Sequence, residues 1–194
     1  MKKNNLNNLA NFLYEVGTMR KIARSHRQTL LTDDLSDNIA SHSYRVSVIG
    51  WFLANLENVD PYKVVTMCLF HDISETRSGD QNWVHKKYVK VFEDEIIADQ
   101  LDSLPGEEKL TELTREYGER KSREALIAKD ADLIDQILLQ KEYIMMGNRE
   151  AIGWVKGAAK YQMLSTKSAK KLADEITASD PARWWHDIWT YMRR

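Results

Sequence analysis

Cysteine is almost missing from this chain: Cys68 is the only one among 194 residues. No internal disulfide framework can form, and the usage suits a reducing, cytoplasmic setting. In "MCLF" it reads as a small buried hydrophobe. Proline (three) and glycine (eight) are equally scarce. Little therefore interrupts the long stretches of Ala, Leu, Lys, Glu and Arg, which predict an all-α fold. No apolar run approaches the ~20 residues of a membrane span. The opening "MKKNNLNNLANF" carries two lysines but no apolar stretch of signal length, so neither membrane insertion nor secretion is expected. Charge of one sign is also lacking. A net charge of -1 argues against a nucleic-acid polymer as ligand, while leaving a single nucleotide open.

What is present suffices for one domain. The 43% hydrophobic content can build a proper core, and no repeat, low-complexity block or linker divides residues 1–194. Apolar residues at helical spacing predict a helix from Leu6 to about Ala23, followed by the polar loop "RSHRQTLLTDDLSD". A second helix is expected from near Asn38, capped by Ser36 or Asp37, with Ile39, Val46, Ile49, Phe52, Leu53 and Leu56 inward. Asp60 and Pro61 then start a helix that carries "YKVVTMCLFHDISE" and gives way at "RSGD", where Gly79 permits a turn. Between Trp83 and Tyr117, Pro105 and Gly106 break the helices. "REALIAKDADLIDQILLQKEYIMMG" is one long helix stopped by Gly147, and "SAKKLADEITASDPARWWHDIWTYM" gives two more, divided at Asp180-Pro181. A core of about 36–145 is thus expected, with the helices of 150–194 packed on it.

Four ionisable groups crowd "FHDISETRSGD", directly behind the apolar run "VVTMCLF". His71 and Asp72 are adjacent near a helix end and can offer a nitrogen and an oxygen to one ion. His42, near the start of the preceding antiparallel helix, comes beside them. Asp132 sits on an apolar stretch of the long helix. Each has an ordinary alternative: a satisfied histidine, a helix-capping His-Asp, an Asp132–Lys129 pair at three-residue spacing. Together, and without thiolates, the set suits one divalent ion such as Mn, Co, Mg, Fe or Zn.

The strings "SHSYR", "HDISETRSGD" and "KDADLI" resemble the HD-domain metal-dependent phosphohydrolases, and more closely their 5'-deoxynucleotidase branch, which reads "SxHSxR/Q", "HDxxExxxGD" and "KxADxL". The resemblance extends over most of the chain. It implies a compact HD-domain helical bundle that binds a metal through His42, His71, Asp72 and Asp132. Asp130 is the nearby competitor, on another helix face and at a position the pattern leaves variable. The implied chemistry is removal of phosphate from a (deoxy)nucleoside 5'-monophosphate. The metal would polarise a water; Glu75 would take or relay its proton, with Asp72 beside it as the second catalytic carboxylate. Taken singly, Glu75 reads as a surface residue pairing with Arg77 or Lys63. Asp80 matches the family residue on the sugar 3'-hydroxyl, and Arg24 the arginine that grips the phosphate.

The chain departs from the family where a tryptophan follows that arginine: Ser25 and His26 stand there instead, and no proline follows the Gly-Asp. Two-metal relatives need extra histidines between the His-Asp pair and the last Asp; only His85 is available, which favours one metal. A triphosphohydrolase of the same fold is the enzymatic alternative, with Lys86, Lys87 and Lys90 as further cations. A non-catalytic nucleotide- or metal-sensing module is the alternative from another class. Relatives are commonly dimers, and "WWHDIWTYM" suits either a homodimer interface or the core.

Overall fold

The computed structural model describes residues 6–156, 162–186 and 188, and among them it contains helices and no strand. In chain order these are α1 (Leu6–Val16), a 3-10 helix (Gly17–Lys21), α2 (Arg27–Leu30), α3 (Ile39–Glu57), α4 (Pro61–Phe70), α5 (Glu75–Ser78), α6 (Trp83–Tyr88), α7 (Glu93–Leu101), α8 (Glu107–Glu119), α9 (Arg123–Met145), α10 (Arg149–Lys156), α11 (Lys167–Ala178) and α12 (Arg183–His186). No helix among these residues is long and apolar enough to cross a membrane.

The boundaries follow local chemistry. Asp60 accepts from the N–H groups of Tyr62 and Lys63, with Pro61 at the first helical position of α4. Ser122 and Thr166 cap α9 and α11 in the same way. Gly147 takes φ +86°, the left-handed conformation that ends α9. The break between α7 and α8 falls at Pro105 and Gly106, and that between α11 and α12 at Asp180 and Pro181, both as the sequence predicts. The tail beyond Ile188 lies outside the described residues, as does the packing expected of it.

Four expectations need correction. Helix α1 stops at Val16 rather than near Ala23, because the segment beyond it pairs with the approach to α3. Ala23 and Asn38 form a bridge; the Arg24 N–H donates to the Asp37 carbonyl and the Ile39 N–H to the Ile22 carbonyl. The cap of α3 is Asn38, which accepts from the Ser41 N–H, while Ser36 bonds Asp34 and Asp37 is occupied by the bridge. Phe52 and Leu56 are exposed, at 61% and 64%. The inner face of α3 instead runs through Ile39, His42, Val46, Ile49, Gly50, Leu53 and Ala54. Finally, α4 ends at Phe70, and a turn intervenes before the short α5.

The main core joins α3, α4, α9 and α11 through Val46, Leu53, Val64, Met67, Ile127, Ile134, Ala173 and Ile176. Helix α9 is central, packing on α3, α4, α8, α10 and α11. Gly50 lets α3 and α4 approach closely: a Cβ there would lie 2.7 Å from Cys68 Sγ and 3.1 Å from Val64 Cγ1. A second cluster sets Phe12 of α1 against Ile73, Leu101 and Leu104. Four residues cannot hold a helix alone, so α5 is clamped from outside. The Glu15 carboxylate accepts from Thr76 Oγ1, Arg77 Nε and Gln100 Nε2 at 2.9, 2.7 and 2.6 Å, and Arg77 Nη2 donates to its second oxygen at 2.9 Å.

Two outcomes follow. Gly50→Ala is expected to lose about 1–3 kcal/mol through overpacking between α3 and α4, read from urea denaturation; unchanged stability would show that the pair can part freely. The Arg77 hydrogen bond, helped by Gln100 and Thr76 and opposed by burial, lowers the Glu15 carboxyl from 4.5 to about 2. A depressed acid stabilises above its unfolded pKa, and that contribution is lost as pH falls from 4.5 towards 2. Glu15→Gln should therefore weaken the fold at neutral pH and flatten the fall of stability across that window. Parallel wild-type and variant curves from pH 7 to 2 would remove Glu15 as the clamp.

Candidate active site

His71 is the first residue past α4, where a helix leaves its last carbonyls unpaired. Its Nδ1 lies 2.7 Å from the Cys68 carbonyl, so Nδ1–H donates there and Nε2 turns outward. His42, in the first turns of α3, is fixed in the same sense by a carboxylate, with Nδ1 2.6 Å from Asp135 Oδ2. The two Nε2 atoms therefore face each other at 3.2 Å. Asp72 Oδ2 lies 3.1 Å from His71 Nε2 and 3.5 Å from His42 Nε2. Asp132 Oδ1 approaches from α9, 3.4 Å from His42 Nε2. One donor atom each from His42, His71 and Asp72 all fall within 4.8 Å of one another.

Two imidazole nitrogens and the Asp72 carboxylate brought this close, with Asp132 beside His42, are a nitrogen and oxygen donor set with no thiolate, which suits a divalent ion. Charge within the cluster is also balanced by protons. Burial and Arg24 oppose the charged form of His42, but its hydrogen bonds to Asp132 and Asp135 outweigh them and raise it to about 9. Asp72 and Asp132 are held well below the usual carboxylate range. Burial opposes this in both; His71, His42 and Arg24 overcome it at Asp72, and Lys129 with the histidines at Asp132. Lys129 does contact Asp132, as three-residue spacing predicts, without removing it from the cluster.

Arg24 reaches the same place from the strand-like segment paired with residue 38. It is 5% exposed, with Nη1 3.6 Å from Asp72 Oδ2 and Nε 3.7 Å from Asp80 Oδ2. Neither nitrogen has a hydrogen-bond partner. The neighbouring Arg20 and Lys21 are exposed, so Arg24 is the member of that basic cluster turned inward. Asp80 also accepts from the Ser25 N–H and Oγ, the latter at 2.7 Å; burial opposes its ionisation, and Arg24 with Ser25 keeps its carboxyl low. The anchoring by Ser25 was not foreseen, because 55 residues separate the partners.

Glu75 begins α5 beside this group. Its surface alternatives are closed: Arg77 binds Glu15 and Lys63 binds Glu116. Its Oε2 is buried without a hydrogen-bond partner. Burial first, then the charges of Asp72 and Asp80, push its carboxyl up to about 10. His71, Asp72, Glu75, Asp80, Asp132 and Arg24 all line one cavity of about 520 Å³, whose walls also include Trp83, Lys86, Arg120 and Trp154. Lys87 and Lys90 do not line it; each lies over an aromatic ring, of Tyr88 and Phe92.

The remaining candidates are used elsewhere. The Asp130 carboxylate accepts from Ser165 N–H, Thr166 N–H and Thr166 Oγ1 at 2.7–2.8 Å, joining α9 to the start of α11. His85 Nδ1 accepts from the Asn82 N–H in the capping box of α6. His26 lines the cavity and packs edge-on against Trp154, with Asp37 3.5 Å from its Nε2. Two site residues carry no assigned role in the sequence, Asp135 and its partner Arg45, the arginine that ends "SHSYR". Their signal was spacing: each stands three residues after a cluster member on the same helix.

A family model described as "HD domain" matches residues 17–178. Over 122 residues, 57% of this chain and 64% of the relative, the sequence is 30% identical to the 5'-deoxynucleotidase HDDC2 of Dictyostelium discoideum. The chain thus spans a little under two thirds of that relative's length. A conserved hypothetical protein from Pyrococcus furiosus is similar with a TM-score of 0.73 and 22% identity, over 88% of this chain and 99% of that one. A predicted metal-dependent phosphohydrolase from Magnetospirillum magnetotacticum gives 0.69 and 22%, over 92% and 95%. At these identities the structural likeness speaks for the fold. The family match covers most of the sequence, and its span contains the clustered histidines and aspartates: the chain belongs to the HD domain family.

Proposed function

We propose that the protein is a metal-dependent phosphohydrolase that removes phosphate from nucleoside 5'-monophosphates, deoxyribonucleotides foremost. The observation that carries the reading is the buried Arg24, whose unpartnered N–H groups face the same cavity as His71, Asp72, Asp132 and the unpartnered Glu75 Oε2. Likeness to the 5'-deoxynucleotidase HDDC2 supports the substrate class.

In this reading His42, His71, Asp72 and Asp132 hold one divalent ion. When bound, that ion supplies Lewis acidity, activating water and offsetting phosphate charge. Arg24 binds the phosphate with a guanidinium that neighbouring carboxylates keep charged despite burial. It orients the phosphorus and stabilises the charge that builds as water attacks and the bond to O5' breaks. Glu75 carries the proton between the attacking water and the departing O5', at its otherwise unbonded Oε2. Asp80, held ionised, accepts from a sugar hydroxyl. Trp83 and Trp154 supply apolar wall for a base. Lys86 and Arg120 on the same wall favour, as a second reading, a substrate with further phosphates.

A nucleotide panel with Mn, Co and Mg separates the readings: phosphate release from 5'-monophosphates is expected, deoxy above ribo. No release from any mono- or triphosphate would leave only the sensing-module alternative. His71→Ala or Asp72→Ala should abolish both bound metal and turnover. Glu75→Gln should lose turnover by about 100-fold or more while keeping metal, and full turnover in that variant would end its assignment. The two aspartates of "KDAD" should part company. Asp132→Ala loses metal, whereas Asp130→Ala keeps metal but loses about 2–3 kcal/mol of stability from the N–H groups it leaves unpaired. The reverse pattern in metal content and melting temperature would exchange their roles.

A further inference from the structure

We infer that Asp135 and Arg45 form a positioning relay that fixes the orientation of His42 and thereby sets the protein's affinity for its divalent ion. The inference rests on the reading that His42 is a metal ligand, and goes beyond it. Asp135 is 3% exposed and accepts from His42 Nδ1 at 2.6 Å. That bond holds the proton on Nδ1 and leaves Nε2 as the donor aimed at His71, Asp72 and Asp132. A ligating imidazole whose other nitrogen donates to a carboxylate is both oriented and made more basic. His71 is tied by a neutral carbonyl instead, so the two imidazoles are tuned differently.

A buried carboxylate with one imidazole partner would be free to turn. Arg45 prevents this: its Nε contacts Asp135 Oδ1, opposite the oxygen that binds His42. The guanidinium is itself fixed, because Nη1 donates to Glu142 Oε1 at 2.7 Å and Nη2 to the Asp135 carbonyl at 3.4 Å. The relay lies on the far side of His42 from the substrate. His42, Arg45, Asp135 and Glu142 line a cavity of about 920 Å³ that shares no lining residue with the one holding Glu75 and Arg24. Asp135 and Arg45 therefore act through His42 without touching substrate.

Metal binding by the metal-free protein tests this directly, with Mn(II) and Co(II) as probes, a chelating dye as competitor, and the visible Co(II) spectrum as a second readout. Wild type should bind one ion. Asp135→Asn and Asp135→Ala should weaken binding by about 10–100-fold and alter the Co(II) bands. Arg45→Met, at a half-buried position, should weaken it in the same direction by a smaller factor, with Arg45→Lys between it and wild type. A folded Asp135→Asn protein with wild-type affinity and an unchanged Co(II) spectrum overturns the relay, even if its melting temperature falls, since that pattern marks a role in stability alone. Should both Asp135 variants fail to fold, Arg45→Met decides, and wild-type affinity in it overturns the relay as well. Absence of any ion on wild type would instead remove the metal reading on which the relay stands.

Discussion

Five carboxylates, of Asp72, Glu75, Asp80, Asp132 and Asp135, are gathered out of bulk water in the centre of this protein, and the arrangement around them follows from the need to compensate that charge. Burial disfavours each ionised carboxylate. The structure meets the cost with Arg24, with His42 raised to about 9, with Lys129 beside Asp132 and Arg45 beside Asp135. Glu75 is the member left without a cation of its own, and it is the one pushed up to about 10. A group poised in this way, in a cavity and beside the His42–His71–Asp72–Asp132 cluster, is the one we propose for proton transfer.

Holding these groups together is a packing problem. His42 begins one helix and His71 follows the end of the next, so they meet only if α3 and α4 run close and antiparallel. Gly50 opposite Cys68 permits that approach. Helix α9 then lies against both and brings Asp132 and Asp135 to the cluster from one side, while Asp130, two residues before Asp132, points elsewhere and anchors α11. One segment, "KDAD", thus serves the site and the fold at once, through residues on different faces of a single helix.

Much of this was legible in the chain. Scarce glycine and proline with helical apolar spacing gave the all-α class, and Asp60-Pro61, Pro105-Gly106, Gly147 and Asp180-Pro181 gave boundaries, because caps and breakers act locally. Amphipathic spacing failed on α3. That helix is apolar on several sides, with Tyr44, Val48, Phe52 and Leu56 outward, so periodicity could not say which side meets α4 and α9. It failed again after Val16, where pairing of residues 22–24 with 37–39 outweighs helix continuation. That pairing is also what carries Arg24 into the cavity.

By itself the sequence determined the residue types with a chemistry to offer and their order: a His, a His-Asp pair with a Glu three residues on, a Gly-Asp turn, and an Asp on a long apolar helix. Donor chemistry depends on side-chain identity, and local spacing within a helix is nearly fixed. Only the tertiary structure decided that Asp130 anchors the start of α11 while Asp132 faces the cluster, and that Ser25 anchors Asp80. It alone revealed Asp135 and Arg45 behind His42. Those outcomes depend on contacts between residues 35 to more than 90 positions apart, whose geometry is set by how whole helices pack rather than by any neighbour along the chain.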